Sequence, residues 1–180
     1  MAIAHAAMTA EGDNRVLTQK VVKDMIKNIA SKKSVLPKTD LNLQQLGSMP
    51  DVTQIEQLYD LLKFLESQHF VELSQALEES KTAKKAFFTA FFLEQQVRVQ
   101  KLSELYAERH AFESTLKAIQ KLVNAENKRI LNVILRIYAI DIIRRELGFL
   151  MIHGAVSAQA SAGLEETYNK LIKDLSAVAP

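Results

Sequence analysis

The chain has 180 residues, of which 48% are hydrophobic, so it is long enough to bury one sizeable core or two small ones. It contains no cysteine, which excludes disulfides, thiolate metal ligands and cysteine nucleophiles. The net charge of +2 comes without a concentration of lysine and arginine on one face, so nucleic-acid binding is not expected. No stretch approaches the roughly 18 consecutive apolar residues that a membrane-spanning helix needs.

The first predicted helix covers about residues 15–31. Its apolar residues recur with the 3.6-residue period of an amphipathic helix, and lysines occupy the opposite side. Either Asp13 or Asn14 is a suitable N-cap, because both side chains can accept a hydrogen bond from the exposed N–H groups of a first turn. The segment 32–50 contains two of the three prolines and Gly47, which predicts a long connection.

Five further helices are predicted along the rest of the chain, and no segment alternates with the period of 2 that indicates a strand. They cover about residue 52 to the high 70s, about 82 to 110 or beyond, from there to about 123, 126–151 and 157–177. Their predicted buried side chains include Leu58, Phe91, Val97, Ile134 and Tyr138. Gly148 and Gly154 are predicted to lie at the end of the fifth helix, where glycine suits a C-cap. The pattern predicts an all-α fold made of up-and-down helical bundles.

Several residue groups have a structural interpretation that is more common than a functional one. Four phenylalanines, at positions 87, 88, 91 and 92, share one helical face and are predicted to belong to the core. The paired charges of Arg144-Arg145 and Glu165-Glu166 indicate solvated faces. The four histidines lack the close spacing of metal ligands, so no metal site is predicted; they are His5, His69, His110 and His153.

Glu11 and Gly12 lie at the junction between the N-terminal segment and the first predicted helix. From residue chemistry alone, a Glu-Gly pair in this position is typical of capping and turn formation. A catalytic interpretation of Glu11 therefore needs support from outside its immediate chemistry.

Two separated stretches supply that support. The first is Thr9-Ala10-Glu11-Gly12-Asp13-Asn14-Arg15-Val16-Leu17 with Gln19. It resembles the segment T-[Y/F]-E-G-[D/E]-N-T-V-L…Q of the acyl-CoA oxidases, which also precedes a helix. The second, from Arg136 through His153-Gly154, Ser157 and on to Pro180, is similar to the oxidase C-terminal pattern LYAL…DLGWFLEHGYLS. Ala10 replaces the usual aromatic residue, and Phe149 stands where tryptophan is common. The resemblance implies a fold like the C-terminal domain of the acyl-CoA dehydrogenases.

The resemblance also implies a reaction and the residues that carry it. Glu11 corresponds to the catalytic base, which removes the α-proton of an acyl-CoA while the β-hydrogen leaves as a hydride to FAD, giving a trans-2-enoyl-CoA. In oxidases, dioxygen then reoxidises the flavin and hydrogen peroxide is released. Glu11 and Gly12 are implied to contact the acyl-CoA, and the Glu11 N–H to bind its thioester carbonyl. Asp13 and Arg15 occupy positions at which relatives contact the flavin.

The resemblance implies a division of the chain and a set of partners. Residues 1–48 would supply the catalytic-base loop, the last helix of the catalytic bundle and a linker, and residues 51–180 the C-terminal helical bundle of oxidases. The family's flavin-binding N-terminal domains are absent from the sequence, so we expect the C-terminal portion of a larger homodimeric enzyme that is inactive in isolation. A peroxisomal location is implied, although the C-terminus carries no peroxisomal tripeptide.

Two alternatives remain open at this point. The chain could be a non-catalytic helical domain for assembly or protein interaction, or it could belong to an acyl-CoA dehydrogenase that passes electrons to a flavoprotein instead of dioxygen. The length of the chain after Gly47 favours an oxidase over a dehydrogenase.

Overall fold

The computed structural model describes residues 14–39 and 54–177, with backbone alone for Asn14 and Arg15. Within these ranges the chain forms helices and connections and no strand, which confirms the predicted all-α class. The elements are α1 (Asn14–Ala30), α2 (Ile55–Thr82), a π-helix (Thr89–Glu94), α3 (Gln96–Gln120), α4 (Ala125–Arg145), α5 (Leu147–Ile152) and α6 (Ala158–Ser176). None of the helices in these ranges is long and apolar enough to cross a membrane.

The helix boundary predicted near His110 is wrong. Helix α3 runs without interruption through this position to Gln120, and it contains neither glycine nor proline to break it. The interruption lies earlier, in a turn where Lys84 has a positive φ of 57° and which is followed by the π-helix. The predicted fifth helix is in turn divided at Glu146 into α4 and α5.

The described residues divide into two compact units, and the first combines α1 with the later part of α2, the π-helix and the early part of α3. The boundaries fall inside helices, between Leu65 and Glu66 in α2 and between Ala107 and Glu108 in α3. The core of this unit is formed by side chains from every one of these elements, namely Val22, Met25, Phe70, Leu73, Phe91, Val99 and Leu102.

The second unit contains the early part of α2, the later part of α3, and α4, α5 and α6. Helix α4 packs against α5 and α6, and its buried residues are Leu135, Ala139, Ile140, Ile142 and Ile143. Two N-caps fix the starts of these helices: the Asn124 side chain accepts from the Asn127 N–H at 2.9 Å, and Ser157 Oγ accepts from the Ala160 N–H at 3.1 Å. Polar caps of this kind satisfy N–H groups that the helix itself leaves unpaired.

Several predicted core positions are exposed. Phe91 is fully buried, as predicted, but Phe87 is half-exposed and Phe88 mostly exposed. The Phe87 ring stacks on Phe91 with centroids 5.2 Å apart, and the Phe88 ring is tilted against Phe92 at 5.0 Å. The π-helix has an i→i+5 hydrogen-bonding pattern, so a single 3.6-residue stripe does not continue through it. Val97, the second residue of α3, is also exposed.

Helix α4 buries only part of the face that we predicted. Ile134 and Tyr138 are partly exposed, whereas Leu135 and Ala139, one position further along, are buried. Apolar residues occur on most sides of this helix, so the periodicity alone did not select a face. The packing of α4 against α6 selects it.

The two glycines predicted at a helix end have different positions. Gly154 follows α5 with a φ of 68°, and the hydrogen bonds Gly154 N–H to Met151 O and Ala155 N–H to Leu150 O close the helix as in a Schellman motif. This confirms Gly154 as a C-cap residue. Gly148 is instead the second residue of α5, so its predicted role as a cap is wrong.

The paired arginines are partly exposed, as predicted, and they also form ion pairs within the second unit. Arg144 donates to both carboxylate oxygens of Glu165 and lies over the Tyr168 ring, 4.3 Å from its centroid. Arg145 donates to Glu108 at 2.6 Å. Both arginines therefore link helices within this unit, in addition to facing solvent.

Candidate functional site

The residues that the sequence assigned to catalysis and binding lie outside the described residues. This holds for Glu11, Gly12 and Asp13, while Arg15 lies in the first turn of α1 with only its backbone described. The possible N-cap at Asp13 or Asn14 falls under the same limit. The described structure brings none of these side chains together, and it begins with the helix that follows them.

Helix α1 is anchored in the first unit at its middle and beyond its end. Val22 is fully buried and Met25 nearly so, both within the core of that unit. After the helix, the Lys33 N–H donates to Asn28 O at 2.8 Å, and Ser67 Oγ donates to Pro37 O at 2.8 Å, which ties the connection to α2. The segment that carries Glu11 thus joins a helix with a fixed position in this unit.

A polar cluster around the buried Arg109 in the second unit is the most developed constellation of ionisable groups in the described part of the chain. Arg109 on α3 is only 7% exposed and donates to Glu113 Oε2 at 2.9 Å. Its other terminal nitrogen lies 2.9 Å from His110 Nε2. Tyr59 on α2 hydrogen-bonds with both Arg109 and Glu113, and its ring stacks on Phe112.

The protonation states in this cluster follow from its geometry. The hydrogen bond from Lys117 lowers the pKa of Glu113, with smaller help from Tyr59 and from the charges of Lys117 and Arg109. Desolvation of the ring, and then the Arg109 charge, lower the pKa of His110. Burial raises the pKa of Tyr59. At neutral pH the cluster holds a charged carboxylate, a neutral imidazole and a neutral phenol, which suits an internal structural network.

A second feature is a cavity in the first unit, next to the start of the π-helix. It has a volume of about 360 Å³ and is lined by residues from α1, α2 and the π-helix region. A larger, mainly polar cleft of about 600 Å³ lies on the other side of Lys85, with Glu79, Glu94 and Arg98 among its lining residues. Across residues 14–39 and 54–177, no group of three histidine or acidic side chains has an arrangement that could hold a metal ion.

The sequence interpretation missed both features, for different reasons. The Arg109–Glu113 pair has the i, i+4 spacing of a helical ion pair, which a search of charge patterns could have found. Its burial and its contact with Tyr59, fifty positions away, have no local signature. The π-helix and the cavity beside it depend on packing between elements that are distant in sequence, so periodicity could not predict them.

Comparison with known proteins identifies the family. The family model described as acyl-CoA oxidase matches residues 54–179. The fold is similar to the crystal structure of acyl-CoA oxidase 3 from Yarrowia lipolytica, with a TM-score of 0.78 and 16% sequence identity over 93% of this chain. The chain corresponds to 25% of the length of that protein. No curated protein matches the sequence.

The family match covers α2 to α6, which includes the second of the two stretches on which the sequence resemblance depended. At 16% identity, the structural likeness establishes the fold, and the family model establishes the membership. The chain belongs to the acyl-CoA oxidase family.

Proposed function

We propose that the chain is the C-terminal portion of an FAD-dependent acyl-CoA oxidase, which converts an acyl-CoA to a trans-2-enoyl-CoA and passes the electrons to dioxygen. The observation that carries the proposal is the family match over residues 54–179, in the same sequence as the segment around Glu11 that resembles the oxidase base. Residues 1–48 supply the base loop, the helix α1 and a linker. Residues 51–180 form the C-terminal bundle.

In this proposal Glu11 removes the α-proton of the acyl-CoA. A carboxylate in an apolar, water-poor site has a raised pKa, which suits proton abstraction near neutral pH. The Glu11 N–H donates to the thioester carbonyl oxygen and stabilises the negative charge that develops there. Gly12 has no side chain, so the backbone can approach the substrate closely.

The cofactor implied by the family is FAD, which accepts the β-hydrogen as a hydride when it is bound. The types of residue near the start of α1 fit it: the Arg15 guanidinium suits a phosphate, and the Asp13 carboxylate suits a hydroxyl group. Both residues come from a short segment that cannot enclose a flavin, so the N-terminal domains of the enzyme are required partners. The same family membership supports a homodimer and a peroxisomal location as parts of this proposal.

The base assignment is tested with Glu11→Gln in the enzyme that contains the flavin-binding domains. We expect acyl-CoA turnover to fall by about 10²- to 10⁴-fold, because the amide cannot accept the α-proton. The thermal unfolding temperature and the flavin absorbance should stay unchanged. Asp24→Asn, which changes an exposed carboxylate on α1, is the matched control. Turnover of the Glu11→Gln enzyme at the rate of the control would refute the assignment.

The inactivity of the chain by itself is tested separately. We expect the purified 180-residue chain to give no acyl-CoA-dependent hydrogen peroxide and no tight binding of added FAD in equilibrium dialysis. Peroxide formation together with FAD binding would contradict the proposal that other domains complete the site. If the complete enzyme reduces only a flavoprotein acceptor and forms no hydrogen peroxide, the result would favour a dehydrogenase.

A non-catalytic assembly domain is the second candidate, and one surface favours it. Three apolar residues of α4 share the spacing of one helical face and are each more than a third exposed, namely Leu131, Ile134 and Tyr138. In the complete enzyme this face would contact the second subunit. Ile134→Lys should then weaken the dimer in analytical ultracentrifugation, whereas Lys128→Glu on the same helix should not. If Glu11→Gln leaves the enzyme active and Ile134→Lys weakens the dimer, the results would support a role for this chain in assembly and none in catalysis.

A further inference from the structure

The cavity beside the π-helix has the dimensions and the lining of a ligand site. Its volume is about 360 Å³. Small-molecule sites in proteins typically measure about 300–1,000 Å³ and combine mainly apolar walls with a few polar groups. Here the apolar walls come from three elements, with Ile26 on α1, Leu77 on α2, and Phe87 and Ala90 at the π-helix.

The backbone around the cavity is a second, independent indication. A π-helix is rare, and such segments are often found at functional sites. The Gln95 N–H donates an i→i+5 hydrogen bond to Ala90 O at 2.9 Å. Ala90 therefore lines the cavity and also accepts a hydrogen bond of the π type. Phe87, which lines the cavity, is half-exposed and stacks on the buried Phe91.

Three charged residues line the cavity, the cations Lys81 and Lys85 and the anion Glu78, and the charged end of a ligand would contact them. Lys81 is 77% exposed and forms an i, i+3 ion pair with Glu78 at 3.1 Å. An exposed pair of this kind contributes little to stability, so the ammonium can exchange its partner at small cost. Lys85 donates to both oxygens of Glu94, at 2.8 and 2.9 Å, so its charge is already matched. Its aliphatic stem remains available to the apolar wall.

We propose that this cavity binds a free fatty acid, with the alkyl chain between α1, α2 and the π-helix and the carboxylate on the Lys81 ammonium. Burial of the chain provides the affinity, and the ion pair with Lys81 selects an acid over an uncharged or cationic amphiphile. All the residues involved differ from Glu11, Gly12, Asp13 and Arg15. Binding therefore needs neither the flavin nor the catalytic base, and it stands independently of the proposed reaction.

The first experiment titrates the 180-residue chain with saturated fatty acids of six to twelve carbons, using isothermal titration calorimetry. We expect the affinity to rise by about fourfold for each added methylene, which corresponds to the transfer of one CH₂ out of water, and to level off once the cavity is full. The alcohol and the alkylammonium of equal length should bind more weakly than the acid. Equal or tighter binding of either one would overturn the role of Lys81.

The site is located with two variants and their matched controls. Ser74→Phe places a ring into the cavity and should lower the fatty-acid affinity at least tenfold, whereas Gln75→Phe adds the same ring one position away, where the side chain lines the polar cleft. Lys81→Gln should bring the affinity for the acid down to that for the alcohol. Lys101→Gln removes a comparable i, i+3 pair, with Glu104, and should change neither affinity.

A direct measurement keeps the test independent of how well the variants fold. Methyl NMR signals of Ile26 and Leu77 should shift on addition of dodecanoate, while those of Leu164 and Leu171 in the second unit stay in place. Unchanged shifts at Ile26 and Leu77, or full affinity in a folded Ser74→Phe protein, would overturn the proposal.

Discussion

Arg109 is a nearly buried cation whose partners come from its own helix and from α2. Its ion pair with Glu113 is only partly exposed, and the Tyr59 hydroxyl completes the set of hydrogen bonds. The geometry explains why a charged side chain is tolerated at this position: one terminal nitrogen donates to Glu113, and the other lies within hydrogen-bond distance of His110 Nε2. An uncompensated guanidinium in the same place would cost much more than an exposed ion pair gains.

This arrangement makes Glu113→Gln a specific test of stability. The substitution removes the charge opposite Arg109 while keeping the size of the side chain, so we expect a loss of about 1–3 kcal/mol in the free energy of unfolding. Chemical denaturation measures it. Glu126→Gln, which removes an exposed pair with Arg129, should leave the free energy of unfolding nearly unchanged. Equal losses of unfolding free energy in the two variants would show that the buried position of Arg109 does not raise the cost of removing its partner.

His110 makes stability depend on pH in a defined direction. Its pKa in the folded chain is lowered by desolvation and by Arg109, against the opposing effect of Glu113 and with a small contribution from Lys117. The unfolded chain therefore binds the proton at a higher pH, near the ordinary histidine value of about 6.5. Stability from the neutral ring is complete above that pH and declines as the pH falls toward the folded-state pKa.

We expect the free energy of unfolding to decrease between pH 7.5 and pH 5, and to decrease less in His110→Gln. The glutamine carbonyl can still accept a hydrogen bond from Arg109, but it does not titrate. Denaturation curves at a series of pH values measure the difference between the two proteins. A larger pH dependence in the variant than in the parent would reverse the assigned direction of the pKa shift.

At the scale of elements, the two glycines near α5 distinguish the effect of backbone conformation from the effect of the space available for a side chain. A Cβ would meet no atom within 4 Å at either Gly148 or Gly154, so a clash decides neither case. Gly154 has a φ of 68°, which costs an L-residue roughly 1–2 kcal/mol, while Gly148 has ordinary helical geometry. A substitution at the two positions is therefore expected to differ in its effect on stability because of the backbone conformation.

Alanine at the two positions should therefore have opposite effects. We expect Gly154→Ala to destabilise the chain by about 1–2 kcal/mol, and Gly148→Ala to stabilise it by about 0.5–1 kcal/mol because alanine loses less backbone entropy in a helix. Thermal and urea unfolding both report the difference. A stabilised Gly154→Ala protein would mean that the turn after α5 does not need a left-handed residue.

At the scale of the whole molecule, each of the two units has its own buried side chains. Phe91 is fully buried in the first unit and is held between Phe87 and Phe92, so Phe91→Ala should cost about 3–5 kcal/mol. Leu93, two positions away on the same π-helix, is 63% exposed, and Leu93→Ala should change stability by less than about 0.5 kcal/mol. Similar costs for the two substitutions, measured by urea denaturation, would contradict the assigned register of the π-helix.

Most helices could be predicted from the sequence, because the 3.6-residue period and the scarcity of glycine and proline act locally. The exceptions have identifiable causes. A π-helix interrupts the period between Phe88 and Val97, and α4 carries apolar residues on several sides, so Ile134 and Leu135 could not be told apart as exposed and buried. The candidate catalytic site, with Glu11, Gly12, Asp13 and Arg15, was predicted through family resemblance and remains a prediction.

The sequence by itself therefore determined the all-α class, the positions of most helices and the two stretches that resemble the acyl-CoA oxidases. Only the tertiary structure decided which apolar faces are buried, that Arg109 contacts Tyr59, and that there is a cavity beside the π-helix. The physical reason is the distance along the chain between the residues that interact. Helix formation depends on neighbours within about four positions, whereas burial, ion-pair networks and cavities depend on residues that are far apart in the chain and meet only after packing.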